Sequence, residues 1–355
     1  MEDYANLMEA IAARAKRVRR PLAAQIEVTR RCQLDCIHCY LDRERQGEEL
    51  STEEIEKLLE DLAELGVLLL SFTGGEFFLR RDWNELLEAA YDNRFATRIL
   101  TTGYKIDARI AKRLKELAIA GVELSVYSHK PEVHDAVTRT DGSHQMTLNA
   151  AKFLLDQGIR TVFKMPVMNV NVADAQALID LAESLGASCI LDPQILPAES
   201  EAREPRHYGL SIEQLADFLS QDRIKQVLFG AERGACRVFD ERRINPKDRI
   251  CNIGEQEIHI GAFGEVSPCM LYPPVANVRM KSLSEIWWNN PEIARLRRLC
   301  WGDQLECMQC DLRAHCSPCL AMSLMEGAEE RACNSISCML AKAIKEADKR
   351  EKKGT

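Results

Sequence analysis

Between residues 22 and 196 the chain repeats one pattern, and that pattern leaves few folds open. Short apolar runs at 25–29, 67–73, 96–102, 122–128, 161–168 and 188–195 alternate with amphipathic stretches at 52–65, 82–92, 107–120, 143–157 and 173–185. Such runs read as strands of a parallel sheet covered by helices. Ser51-Thr52-Glu53-Glu54 has the capping-box pattern that opens a helix. Gly66, Gly121, Gly158 and Gly186 each stand directly after a helical stretch, a place that favours positive φ. Six strand–helix units are too few to close an eight-stranded barrel. An α/β fold is expected, a partial (β/α)6 TIM-like barrel, followed by a cysteine-rich C-terminal domain.

The loop after the first strand carries Cys32, Cys36 and Cys39, spaced C-x3-C-x2-C. Three thiolates on one short loop can hold three irons of a [4Fe–4S] cube and leave the fourth open to a second ligand. The spacing alone also allows half of a zinc site with His38 as a further ligand. A strand, this loop and a helix in succession put the cysteines at the carboxyl end of a parallel strand, where α/β folds gather cofactor sites.

The remaining cysteines fix the compartment. Of 14 in 355 residues, Cys189 stands alone and reads as a buried core residue, while ten lie between Cys236 and Cys338. The N-terminal arginines and lysine (Arg14, Lys16, Arg17, Arg19, Arg20) are not followed by an apolar core and cleavage site, and no apolar run approaches the roughly 20 residues of a membrane span. Tight C-x2-C groups in such a chain point to iron–sulfur or other metal sites in a reducing, cytoplasmic setting rather than to disulfides. A net charge of −8 argues against generic nucleic-acid binding.

Composition divides the chain into an N-terminal helical arm (1–21), the barrel (22–200), a linker or bridge (201–245) with an amphipathic helix near 211–220, the cysteine-rich domain (246–341) and a charged tail (342–355). In the cysteine-rich domain Cys251, Gly264 and Cys269 give C-x12-G-x4-C. Cys307, Cys310, Cys316 and Cys319 give C-x2-C-x5-C-x2-C, with Cys333 and Cys338 beyond. Four cysteines so spaced could also close one tetrahedral zinc site.

The second strand ends in Thr73-Gly74-Gly75-Glu76. Adjacent glycines allow close backbone approach to a ligand, and the carboxylate can accept from an ammonium group. Together with the cysteine loop this resembles the radical S-adenosylmethionine (SAM) enzymes. There the open iron chelates SAM and the GGE motif meets its methionine amine. The resemblance implies cofactor contacts from Gly74, Gly75, Glu76, Thr102 and Ser125. The family usually places an aromatic residue before the third cysteine; here it is His38, followed by Tyr40. The C-terminal pattern, with Ser282-Leu-Ser-Glu-Ile-Trp-Trp-Asn-Asn-Pro291, resembles the SPASM extension of peptide-modifying members. That resemblance implies two auxiliary [4Fe–4S] clusters. Cys251, Cys269 and Cys319 would hold the first, with Cys236 or Cys300 as candidate fourth ligands. Cys307, Cys310, Cys316 and Cys338 would hold the second, with Cys333 as the alternative. The last spacing departs from the family's usual C-x3-C.

The implied chemistry is reductive cleavage of SAM at Cys32, Cys36 and Cys39 to a 5′-deoxyadenosyl radical that abstracts hydrogen from the substrate. A ribosomally synthesised precursor peptide, cross-linked or oxidised, is the expected substrate. Other readings are a sulfatase-maturation-like oxidase, a quinone- or haem-type small-molecule enzyme, and a non-enzymatic iron–sulfur or zinc scaffold. Asp192, ending the sixth strand, is a candidate proton carrier or a turn-forming carboxylate. Expected partners are the peptide, a flavodoxin- or ferredoxin-type reductant and a separate leader-peptide-binding protein. The basic cluster Arg14–Arg20 offers either a docking face for that reductant or a solvated helix face.

Overall fold

The computed structural model describes residues 11, 14, 15, 17–42, 44–200, 204–229, 245–303 and 305–354. Cys236, Lys16, most of the arm and residues 201–203 and 230–244 of the bridge lie outside the described residues. Six strands, β1 (Ala23–Glu27), β2 (Leu69–Thr73), β3 (Ala96–Thr101), β4 (Gly121–Ser125), β5 (Thr161–Pro166) and β6 (Ser188–Asp192), pair in parallel and in chain order. Helices α1 (Thr52–Leu65), α2 (Trp83–Asp92), α3 (Ala108–Glu116), α4 (Pro131–Thr138), α5 (Ser143–Asp156) and α6 (Ala175–Leu185) connect them. The α/β partial barrel expected from the alternation is the one observed. The Ser51 capping box forms, with Ser51 Oγ accepting from Glu54 N and the Glu54 carboxylate accepting from Ser51 N. The core between sheet and helices is aliphatic and aromatic, with Phe72, Phe77, Phe78 and Phe163 fully buried.

Three differences from the sequence reading have physical causes. Gly121 is not a helix cap: α3 ends at Glu116, Ala118 takes the positive φ (50°), and Gly121 opens β4. Helix α4 was not foreseen, since its eight residues carry only a short periodic stretch between two turns. The third difference is the largest. The cysteine-rich segment, in which no strand was singled out from the sequence, supplies β7 (Glu257–Ile260), β8 (Glu265–Ser267) and β9 (Ala276–Asn277). Strand β7 pairs parallel to β1, so one sheet runs β6-β5-β4-β3-β2-β1-β7-β8-β9. Gly264, the glycine of C-x12-G-x4-C, turns the β7–β8 hairpin at φ 86°, where a Cβ would meet Asn277 Oδ1 at 3.0 Å.

Beyond the sheet, α7 (Ile212–Ser220) and α8 (Asp222–Phe229) precede α9 (Leu283–Asn289) and α10 (Pro291–Leu296). The chain then passes through α11 (Leu305–Met308) and α12 (Leu320–Met325) to α13 (Ser335–Gly354), which packs along α7. The charged stretch from Lys342 is thus the later part of a helix that begins at Ser335. Among the described residues no helix is long and apolar enough to cross a membrane.

Candidate active site

The cysteine loop leaves β1 and is held on two sides before it reaches α1. On one side the β2 turn clasps it, with Gly75 N donating to Thr29 O (2.7 Å) and Glu76 N to Arg31 O (2.8 Å). On the other the end of α4 receives it: Asp35 N donates to Thr138 O (3.1 Å) and Ile37 N to Val137 O (2.9 Å). The Gly74-Gly75 pair is required by this clasp itself. A Cβ on Gly74 (φ 144°) would stand 2.3 Å from Thr29 O, and one on Gly75 2.3 Å from Arg31 O. The glycines thus let β2 and the cysteine loop meet backbone to backbone, a reason not evident from the motif alone.

Glu76 serves the same scaffold. It is 1% exposed, and its carboxylate accepts from Phe78 N (3.0 Å), Thr101 Oγ1 (2.6 Å), Thr102 N (2.8 Å) and Thr102 Oγ1 (2.5 Å). Burial raises this carboxyl while the four donors lower it. The sequence reading gave Glu76 a ligand ammonium to accept from. In the structure its acceptors are filled by the ends of β3 and the β2 turn, and it does not line the cavity beside them.

That cavity, of about 300 Å³, is bordered by Cys32, Cys36, Cys39, His38, Tyr40, Gly74, Gly75, Thr102, Ser125 and Asp192, all singled out from the sequence. Three thiols, a glycine-lined wall and polar strand ends around one enclosed space fit an iron–sulfur cluster with one iron left for a small polar ligand. Burial pushes His38 down to about 4, so its ring is neutral at pH 7, and among the described residues its Nε2 has no hydrogen-bond partner. Burial also raises the Asp192 carboxyl, against the opposing pull of Lys164 and a hydrogen bond from Gln194 N at 3.0 Å.

The sequence reading missed several lining residues. Tyr127 lies with its hydroxyl 3.8 Å from Cys36 Sγ and its ring 5.0 Å from His38. Lys164 and Glu123 face inward from β5 and β4, 3.8 Å apart, with Arg98 3.3 Å from Glu123. Charged residues inside strands buried on both faces were the available signal. Met270 and Leu271 reach the cavity from the C-terminal domain, and no local pattern announces them.

In that domain the thiols fall into two groups. Cys319 is within electrostatic reach of both Cys251 and Cys269, and Cys316 of both Cys307 and Cys310. Burial pushes Cys269 up to about 12 and Cys316 up to about 11, so both are neutral thiols unless a metal displaces the proton. Cys333 and Cys338 have their sulfurs together. Cys300 gives its thiol to Asp303 Oδ2 at 3.3 Å. Cys189 is buried in the barrel core.

Comparison with known proteins matches this division. Residues 26–182 match the radical SAM superfamily, and residues 251–319 match SPASM, an iron–sulfur cluster-binding domain. The chain is a radical SAM enzyme with a SPASM domain. It is 26% identical over 311 residues to the PqqA peptide cyclase of Granulibacter bethesdensis, covering 82% of this chain and 80% of that one. It is 28% identical over 326 residues to the subtilosin biosynthesis protein AlbA of Bacillus subtilis, covering 86% and 68%. The fold is similar to that of Streptococcus suis SuiB, solved with the precursor peptide SuiA, at a TM-score of 0.69 and 18% identity over 89% of this chain and 76% of that one. The cofactors of this radical SAM enzyme are S-adenosylmethionine and iron–sulfur clusters.

Proposed function

We propose that this enzyme modifies a ribosomally synthesised precursor peptide, cross-linking or oxidising it. One observation carries the reading. The similarity to the PqqA cyclase and to AlbA spans more than four-fifths of the chain, barrel and SPASM domain together. In this reading Cys32, Cys36 and Cys39 hold the SAM-binding cluster, and Gly74, Gly75, Thr102, Ser125, His38 and Tyr40 border its ligand. SAM bound there supplies one-electron chemistry that removes a hydrogen atom from an unreactive C–H bond. Asp192, at the cavity wall, takes up or returns the proton that bond formation displaces. Cys251, Cys269 and Cys319 hold one auxiliary cluster, and Cys307, Cys310, Cys316 and Cys338 the other, with Cys333 as the alternative, for three in all.

The exposed Arg14, Arg17, Arg19 and Arg20 offer a basic face to an acidic flavodoxin or ferredoxin in the cytoplasm. Leader recognition falls to a separate protein or to the N-terminal arm. The test is reaction of the anaerobically reconstituted, reduced enzyme and SAM with the product of each short reading frame that neighbours its gene. Mass loss of two hydrogens, localised to one residue pair and absent with Cys32→Ala, is expected. An unmodified peptide, with SAM still turned over, would overturn the peptide reading.

A further inference from the structure

A second cavity, of about 480 Å³, lies beside the first, and Tyr40, Leu196, Met270 and Leu271 border both. None of the residues lining it is a cysteine, and its wall is strongly ionic. Four carboxylates face it, from Glu27, Asp42, Glu199 and Glu265, against two guanidiniums, from Arg30 and Arg45. Both guanidiniums are already engaged. Arg30 donates to the two oxygens of Glu199 at 2.5 and 2.9 Å, and Arg45 donates to Glu265 at 2.5 Å.

Glu27 is left over. It is 4% exposed, at the inner end of β1, and among the described residues no donor lies within hydrogen-bond distance of its carboxylate. The basic side-chain nitrogens within 4 Å of it are Arg30 Nη2 at 3.8 Å and His259 Nε2 at 3.9 Å. Burial pushes His259 down to about 4, so it brings no charge, and its buried Nδ1 has no hydrogen-bond partner among the described residues. A carboxylate held in this way is costly until a donor reaches it. The surplus of negative groups selects a donor that is also a cation.

We propose that this compartment is a substrate subsite for a cationic side chain, its ammonium or guanidinium head bound at Glu27. The residue bearing that head, or its neighbour, extends past Tyr40 and Leu271 toward the cysteine-loop cavity. The inference rests on the peptide reading and names a side-chain chemistry within it. Burial raises the Glu27 carboxyl to about 7, so a bound cation restores a charge that desolvation disfavours.

The test uses the anaerobically reconstituted full chain and two probes of equal length, Nα-acetyl-lysine methylamide and Nα-acetyl-norleucine methylamide, titrated calorimetrically with SAM present. The lysine probe is expected to bind about tenfold more tightly than the norleucine probe. Glu27→Gln should bring the two within about twofold while SAM affinity stays unchanged. Equal binding of the two probes to the native protein would overturn the proposal without need of the variant, and so would a lysine preference that survives Glu27→Gln. Absence of a lysine preference in the native protein, with peptide modification intact, would remove only the subsite. A lysine preference without peptide modification would remove the peptide reading and leave the cation site standing.

Discussion

Each Glu76 oxygen accepts one backbone N–H, from Phe78 and from Thr102. A glutamine there turns its amide NH2 toward one of those donors in either orientation. Glu76→Gln is therefore expected to lower the unfolding free energy by about 1–3 kcal/mol; denaturant titration measures this, and an unchanged midpoint would contradict it. Asp192 tests the opposite kind of carboxylate, one aimed into the cavity. Asp192→Asn should leave SAM cleavage within about twofold of native while slowing product formation by about 10²-fold or more. Parallel losses in both would mark Asp192 as structural. Glu27 makes a pH prediction. Its folded carboxyl titrates near 7 and its unfolded one near 4.5, so the native state keeps a proton that the unfolded chain releases. Its contribution to stability is full below pH 4.5 and falls as pH rises toward 7, by up to about 3 kcal/mol. The groups facing it are Arg30, Glu199, Glu265, Arg45 and His259. Glu27→Gln should flatten the slope of stability against pH between 5 and 7 relative to the native chain; an unchanged slope would refute the assignment.

At the scale of elements, the cysteine loop depends on β2 and α4 more than on its own sequence. Gly75→Ala would force Arg31 O away from its 2.3 Å approach. The expected outcome is a folded chain that takes up fewer irons at the N-terminal site, read by iron analysis of a variant lacking the SPASM cysteines. Full iron uptake would show that the clasp is dispensable. What the sequence made legible follows the same division. Cys32, Cys36 and Cys39 were singled out by residue type and spacing, Ser125 by the family resemblance, and all four border the same cavity. Tyr127, Glu123 and Lys164 were not readable, because they reach the cavity through strand register: Ser125 pairs with Lys164, and Glu123 with Val162. The alternation in Glu257-Ile258-His259-Ile260 is strand-like, but four residues amid cysteines are too short a run to stand out.

At the scale of the whole molecule, one continuous sheet joins the barrel that carries the cysteine loop to the SPASM domain. Strand β7 covers the edge of β1, so a chain ending at residue 245 would expose Ala23–Glu27 as an unpaired edge. Such a truncation should aggregate, as seen by size-exclusion chromatography, whereas a monodisperse product would show that the barrel stands alone. The same continuity carries Met270 and Leu271 to the cysteine-loop cavity, so the C-terminal domain supplies part of its wall. The central claim is that the loop of Cys32, Cys36 and Cys39 cleaves SAM. It is tested most directly by reducing the anaerobically reconstituted protein with SAM present and measuring 5′-deoxyadenosine. The native chain, carrying about 12 irons, should form it, and Cys32→Ala should not. If native protein with its full iron content yields no more 5′-deoxyadenosine than Cys32→Ala, the claim is contradicted.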